Sequence, residues 1–240
     1  MSTALKYRRV LLKLSGEALM GERGFGIDPD FVQRIAEDIR EAVALGAKVG
    51  IVIGGGNIFR GVSVVAEGGE RVVGDHMGML ATVINSIAIS SALRQNGVPS
   101  RVLSALPVPT VCDTFSQRAA DAAFDAGEVV VFAGGTGNPF FTTDSGAALR
   151  ASEMGCDALL KGTQVDGIYT ADPKKDPTAT RYERVSYQEA LAKGLGVMDT
   201  AAFALARDNA IPIIVFSIHQ PGSIVDAVCG QGRSTLVESD

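Results

Sequence analysis

At 240 residues with 46% hydrophobic and 20% charged content, the chain can bury a full core, which excludes intrinsic disorder. A net charge of −5 and no basic tract exclude a sequence-independent grip on nucleic-acid phosphates or on an anionic membrane surface. Cys112, Cys156 and Cys229 are odd in number and lack metal-ligand spacing, so they fit idle thiols in a reducing cytoplasm better than a disulfide frame. The start, Lys6-Tyr7-Arg8-Arg9 followed by Val10-Leu11-Leu12, superficially resembles a signal peptide, but Lys13 interrupts it too early. No later segment is expected to reach membrane-spanning length.

In chain order, residues 10–14 are expected to form a first strand that leaves through a Ser15-Gly16-Glu17 turn. Lys13 stands at its carboxyl end, the edge where open α/β sheets place ligands. A glycine-rich connector follows, Gly21-Glu22-Arg23-Gly24-Phe25-Gly26, and Asp28-Pro29 then predicts a helix start, with Phe31, Ile35, Ile39, Ala42 and Val43 as the buried face. A second strand over 49–53 runs straight into Gly54-Gly55-Gly56-Asn57-Ile58-Phe59-Arg60-Gly61. Three glycines there expose backbone N–H groups, and Arg60 adds a planar donor fork suited to phosphate oxygens.

Asp75-His76-Met77-Gly78-Met79 opens a long helix expected to bury Leu80, Val83, Ile84, Ile87 and Ala88. Asp75 is either a helix cap or an acceptor for sugar hydroxyls; His76, with no acidic or cysteine partner at useful spacing, reads as structural. Residues 101–103 predict a third strand and 117–126 a helix. The apolar run 128–133 then reads as a buried parallel strand that delivers Gly134-Gly135-Thr136-Gly137-Asn138-Pro139-Phe140-Phe141-Thr142-Thr143-Asp144. A glycine-rich strand-to-helix turn is where such sheets bind anions, with Thr143 or Asp144 as the cap. Two phenylalanines in a polar loop argue for binding over a plain turn.

Residues 156–161 predict another strand ending in a lysine, so Lys13 and Lys161 both close apolar strands ahead of small-residue turns. Two cations on one sheet edge, facing two glycine-rich loops, form a phosphate clamp. Beyond them, 165–169 reads as a short hairpin entering an Asp-Pro loop that runs to Thr180, and Tyr169 is either a flat face for a base or a core residue. Helices over 186–193 and from Val197-Met198-Asp199, a strand over 213–216, a short helix from Ser223 and an edge strand near Thr235 complete the chain. No Gly-Lys dipeptide occurs, which excludes the common phosphate loop, and Phe59 stands where a dinucleotide fingerprint needs its third glycine.

Lys13-Leu14-Ser15-Gly16, Gly54-Gly55-Gly56-Asn57 with Arg60, Gly74-Asp75-His76-Met77-Gly78-Met79, the 135–144 loop and Lys161-Gly162-Thr163 with Val165-Asp166-Gly167 together resemble the bacterial uridylate kinases of the amino acid kinase fold. The resemblance spans essentially the whole chain. It implies a single 1–240 domain, a three-layer α/β/α sandwich around a mostly parallel sheet, with the UMP half mainly N-terminal and the ATP half mainly C-terminal. It also implies phosphorylation of UMP by ATP with Mg²⁺, with no direct protein ligand assigned to the metal. Carried over by position, Lys13, Leu14, Ser15, Gly16, Gly56, Arg60, Thr163, Tyr169 and Asp172 contact ATP. Gly55, Asp75 and the Thr136, Gly137, Asn138, Pro139, Phe140, Phe141, Thr142 and Thr143 loop hold UMP. Lys13, Arg60 and Lys161 spread the charge of the transferring phosphoryl, while Asp144 and Asp199 orient the lysines or reach Mg²⁺ through water. The resemblance further implies a cytoplasmic homohexamer that answers to GTP and UTP, with the Gly21–Gly26 connector and Arg101 as effector contacts; Ser90 stands where some relatives carry another arginine. A carboxylate or carbamate kinase, or a non-catalytic nucleotide-binding regulator, are the competing readings.

Overall fold

Short apolar runs become the central strands here because they are buried on both faces, and helices cover both sides of the sheet they form. The structure, a computed structural model, describes residues 4–59, 68–173, 175–196 and 198–239. Arg60, Gly61 and Val197, named above, lie outside the described residues.

Among the described residues nine strands make one sheet in the order β4-β3-β5-β2-β1-β6-β8-β9-β7. They are β1 (Arg9–Leu14), β2 (Lys48–Ile53), β3 (Ser100–Ser104), β4 (Asp113–Thr114), β5 (Val129–Ala133), β6 (Ala158–Thr163), β7 (Arg184–Ser186), β8 (Ile213–Ser217) and β9 (Ser234–Glu238). Every pairing is parallel except β8 with β9. One face carries α1 (Gly16–Leu19), α2 (Pro29–Ala44), α3 (Arg71–Gln95) and α8 (Ser223–Val228), the other α4 (Gln117–Asp125), α5 (Thr143–Glu153), α6 (Tyr187–Ala192) and α7 (Thr200–Asp208). Along β1 the side chains alternate between two cores, Val10, Leu12 and Leu14 toward the first and Leu11 toward the second. The expected α/β/α sandwich with a mostly parallel sheet is what the chain forms.

β1 has β2 on one side and β6 on the other, so the chain winds outward in one direction and later crosses over to wind in the other. Such a reversal opens a crevice at the carboxyl ends of the central strands. Lys13 and Lys161 are register partners across it.

Several local expectations need correction. α3 begins at Arg71 and not at Asp75, which therefore lies one turn inside the helix and caps nothing; Glu70 occupies the cap position without a side-chain hydrogen bond. Its buried face is also different: Leu80, Ile84 and Ile87 are exposed, whereas Thr82, Asn85, Ser86 and Ser90 are buried. At 25 residues, with a mean hydropathy of 1.4 over an 18-residue stretch, it is long and apolar enough to cross a membrane, contrary to expectation, yet it packs against α2 and the sheet as a wall of the domain. α5 is capped by Thr142, whose hydroxyl accepts the Asp144 and Ser145 N–H groups, not by Thr143 or Asp144. β9 is no edge strand, since β7 continues the sheet beyond it. The short pieces α1, β4 and β7 lack the length that makes an element visible in sequence. Tyr169 pairs with Arg181 at the far end of the Asp-Pro loop, so that loop closes on itself instead of following a hairpin.

Candidate active site

Two lysines delivered by neighbouring strands would repel each other, and α5 supplies the charge that holds them. Asp144, in the first turn of α5, meets Lys13 Nζ through Oδ1 at 2.8 Å and Lys161 Nζ through Oδ2 at 3.0 Å. All three side chains are largely enclosed, at 12, 14 and 16% exposure for Lys13, Lys161 and Asp144. Burial pushes the Asp144 carboxyl up, but the Lys13 and Lys161 charges together outweigh it and hold it below the usual carboxylate range. Burial likewise lowers Lys161; Asp144 opposes that shift and Lys13 reinforces it. The cluster keeps one net positive charge at the amino end of an 11-residue helix, whose dipole adds to it.

Asp199 works beside this cluster rather than in it. It caps α7 by accepting the Ala202 N–H at 3.0 Å and also takes the Ser145 hydroxyl at 3.1 Å and the Thr142 hydroxyl. One carboxylate thus ties the starts of α5 and α7, and its charge raises the Lys161 pKa from a distance.

The buried polar face of α3 holds the two glycine-rich loops in place. Asn85 donates to Gly54 O at 2.7 Å and exchanges amide hydrogen bonds with Asn57, which in turn donates to Gly26 O. Thr82 accepts the Gly134 N–H at 2.8 Å. Close approach explains much of the triple glycine: a Cβ on Gly55 would meet Gly78 O at 2.7 Å, and one on Gly16 would meet Gly54 O at 2.4 Å and Gly56 N at 2.7 Å.

Two cavities adjoin the lysine–aspartate cluster, one through Lys161 itself and the other through Thr142 and Thr143 beside Asp144. The smaller, about 280 Å³, is lined by Gly55, Gly56, Asp75, Thr136, Phe141, Thr142 and Thr143 from the residues singled out in sequence. Arg71, Gly78 and Met79 also line it and were missed; an arginine four residues ahead of Asp75 on one helix face was the available signal. The larger, about 550 Å³, is lined by Lys161, Thr163, Tyr169 and Asp172, with Lys193 and the Gly194–Gly196 turn as additions that sequence patterning gave no reason to select. Tyr169 is half-buried on that wall, its hydroxyl donating to Asp166, so it is not a core residue.

Other candidates lie elsewhere. The Leu14 side chain is fully buried in the core. The Ser15 hydroxyl caps α1 by accepting the Glu17 N–H, and Gly56 borders the smaller cavity and not the larger. Gly137, Asn138, Pro139 and Phe140 do not line either cavity, although the Phe140 N–H reaches Asp75 at 2.7 Å. In the Gly21–Gly26 connector, Gly26 is tied to Asn57, while Glu22 and Arg23 are exposed and Phe25 is 67% exposed. Arg101 is clamped by Glu128 through two hydrogen bonds of 2.7 and 2.9 Å, beside a hollow of about 230 Å³ shared with Arg94 and Cys112.

The sequence profile of the amino acid kinase family matches residues 8–217. The chain belongs to the amino acid kinase family. Within it, this kinase is 66% identical over 234 residues to the uridylate kinase of Mesorhizobium japonicum, covering 98% of each chain. It is 65% identical over 234 residues to that of Brucella abortus, again covering 98% of each. Its fold is similar to the crystal structure of the UMP kinase from Bacillus anthracis, with a TM-score of 0.93, 39% identity and coverage of 98% and 97% of the two chains. The uridylate kinase from Archaeoglobus fulgidus is more distant, with a TM-score of 0.73, 30% identity and coverage of 95% and 99%.

Proposed function

We propose that this enzyme transfers the γ-phosphoryl group of ATP to UMP, giving UDP and ADP, with UMP in the smaller cavity and ATP in the larger. The observation that carries the reading is the Asp144-bridged pair Lys13 and Lys161 at the carboxyl edge of the sheet, with Lys161 lining the larger cavity and Thr143, the chain neighbour of Asp144, lining the smaller. The names of the relatives identify the acceptor.

The nucleophile is an oxygen of the UMP phosphate, already anionic at neutral pH, so no side chain has to remove a proton from it. That oxygen forms a bond to the γ-phosphorus while the bond from the γ-phosphorus to the β,γ-bridging oxygen breaks, its electron pair leaving with ADP. The barrier lies in bringing two polyanions into line and in spreading charge over the transferring group. Lys13 and Lys161 face that charge, the dipole of α5 reinforces their positive field, and Asp144 holds both lysines in place in the absence of substrate. Asp75 accepts a ribose hydroxyl, and Tyr169 and the 194–196 turn border the adenosine of ATP.

Among the described residues no cluster of three His, Cys, Asp or Glu side chains could hold a metal. Asp144 and Asp199 are already engaged, so Mg²⁺ fits as a passenger on the ATP phosphates with at most water-bridged contact to these two. When bound, it neutralises phosphate charge. The exposed apolar stripe of α3 supports a hexamer built from dimers, the relatives' bacterial origin supports a cytoplasmic setting, and GTP and UTP remain the effectors to be expected, with Arg101 reaching them only once released from Glu128.

A coupled ADP-release assay over UMP, CMP, carbamate and free amino acids tests the acceptor. UMP alone should support turnover at low concentration, and turnover with a carboxylate instead would overturn the assignment. In the same assay Lys13→Ala should lower kcat by on the order of 10²–10³, the loss of one transition-state donor; a value within twofold of the parent would sink the clamp.

A further inference from the structure

Asp75 presents a problem for a pocket that must admit a phosphate dianion: a carboxylate enclosed to 13% exposure in its wall would repel the substrate it is meant to hold. Its surroundings answer this. Arg71, one turn earlier on α3, donates Nε to Oδ1 at 2.8 Å and to Oδ2 at 2.9 Å, and the Phe140 N–H reaches Oδ2 from the glycine-rich loop at 2.7 Å. The Arg71 guanidinium also lies 5.7 Å from the Phe140 ring centroid, and Phe140 is held at φ 73, a conformation uncommon for a bulky residue. Arg71 and Asp75 are the charged residues of this cavity wall among those described.

We infer that Arg71 is a positioning residue for acceptor recognition: it cancels the charge of Asp75, fixes its rotamer, and leaves one oxygen lone pair on Oδ1 to take a single sugar hydroxyl. A carboxylate offers about four acceptor positions, and the contacts from Arg71 and Phe140 occupy three of them. The same guanidinium steadies Phe140, so the loop and α3 are joined through one carboxylate. The inference rests on Asp75 being the sugar ligand.

Calorimetric titration of the full-length enzyme with UMP and with 2′,3′-dideoxy-UMP tests both layers. The parent should bind UMP more tightly than the dideoxy analogue. Arg71→Met should weaken UMP binding about five- to tenfold, roughly the worth of one well-placed hydrogen bond plus a neutralised charge, and should bring the UMP-to-dideoxy ratio close to one. At saturating UMP its kcat should stay within about threefold, because Arg71 touches no reacting atom. Arg71→Lys should recover part of the affinity through charge but little of the discrimination, since an ammonium lacks the fixed Nε–H direction that spans both carboxylate oxygens. Asp75→Asn is the control: unchanged discrimination there would remove Asp75 as sugar ligand altogether. Lost discrimination in Asp75→Asn but not in Arg71→Met would overturn the role of Arg71 alone, as would an equal weakening of both nucleotides by Arg71→Met. Thermal melting of each variant separates these outcomes from misfolding.

Discussion

Asp144 carries an electrostatic load no other carboxylate among the described residues shares, two enclosed ammonium groups on one side chain. Breaking a largely buried ion pair leaves the remaining charges uncompensated, so Asp144→Asn should cost about 3 kcal/mol at neutral pH. The pH dependence follows from the direction of its shift. With its folded pKa held below the unfolded value of about 3.9, the stabilisation is complete above that value and is lost as pH falls through it toward the depressed folded pKa. Melting temperature measured from pH 7 down to pH 3 should therefore fall more steeply for the parent than for Asp144→Asn at the acid end. Parallel curves would mean that the carboxylate gains nothing from the lysines. Single residues were the most legible part of the sequence. Lys13 and Lys161 stand at the ends of apolar runs, where a strand's carboxyl edge is readable without knowing its partners, whereas the tie from Arg71 to Phe140, 69 residues away, leaves no mark in local spacing.

At the scale of elements, the turn after β1 and the loop after β2 are built to touch. A Cβ on Gly16 would collide with backbone atoms of Gly54 and Gly56, which cannot swing aside as a side chain can. Gly16→Ala should therefore destabilise the fold by about 1–3 kcal/mol, the usual range for overpacking, and lower kcat as the loop shifts away from the lysines. Urea unfolding and steady-state kinetics on the same preparation would read both; a fully active, equally stable variant would show that the loops can part freely. α3 shows why element faces were harder to read. Its buried side needs donors and acceptors for Gly54 and Gly134, so Asn85 and Thr82 go inward and Leu80, Ile84 and Ile87 outward, the reverse of what hydropathy suggests. β9 was placed wrongly for a different reason: its neighbour β7 is three residues long and lies some fifty residues earlier in the chain.

For the molecule as a whole, the outward stripe of α3 is the feature the isolated chain leaves unfinished. Val73, Met77, Leu80, Ile84 and Ile87 are 37–51% exposed along one helix, an apolar ridge of the kind that marks an interface between subunits. If the proposed assembly forms through this ridge, Ile84→Glu should lower the mass read by light scattering after size exclusion while circular dichroism still shows a folded chain; an unchanged mass would show that the ridge joins no subunits. Parallel pairing of β1 and β6 has one more consequence. Lys13 and Lys161 occupy the same rung, so the gap between them is set by the spacing of adjacent strands, close to 4.8 Å between backbones, and not by any loop. The sheet works as a fixed gauge for the proposed reaction centre, while the choice of which molecules are brought to it is left to loops that can change without disturbing that measure.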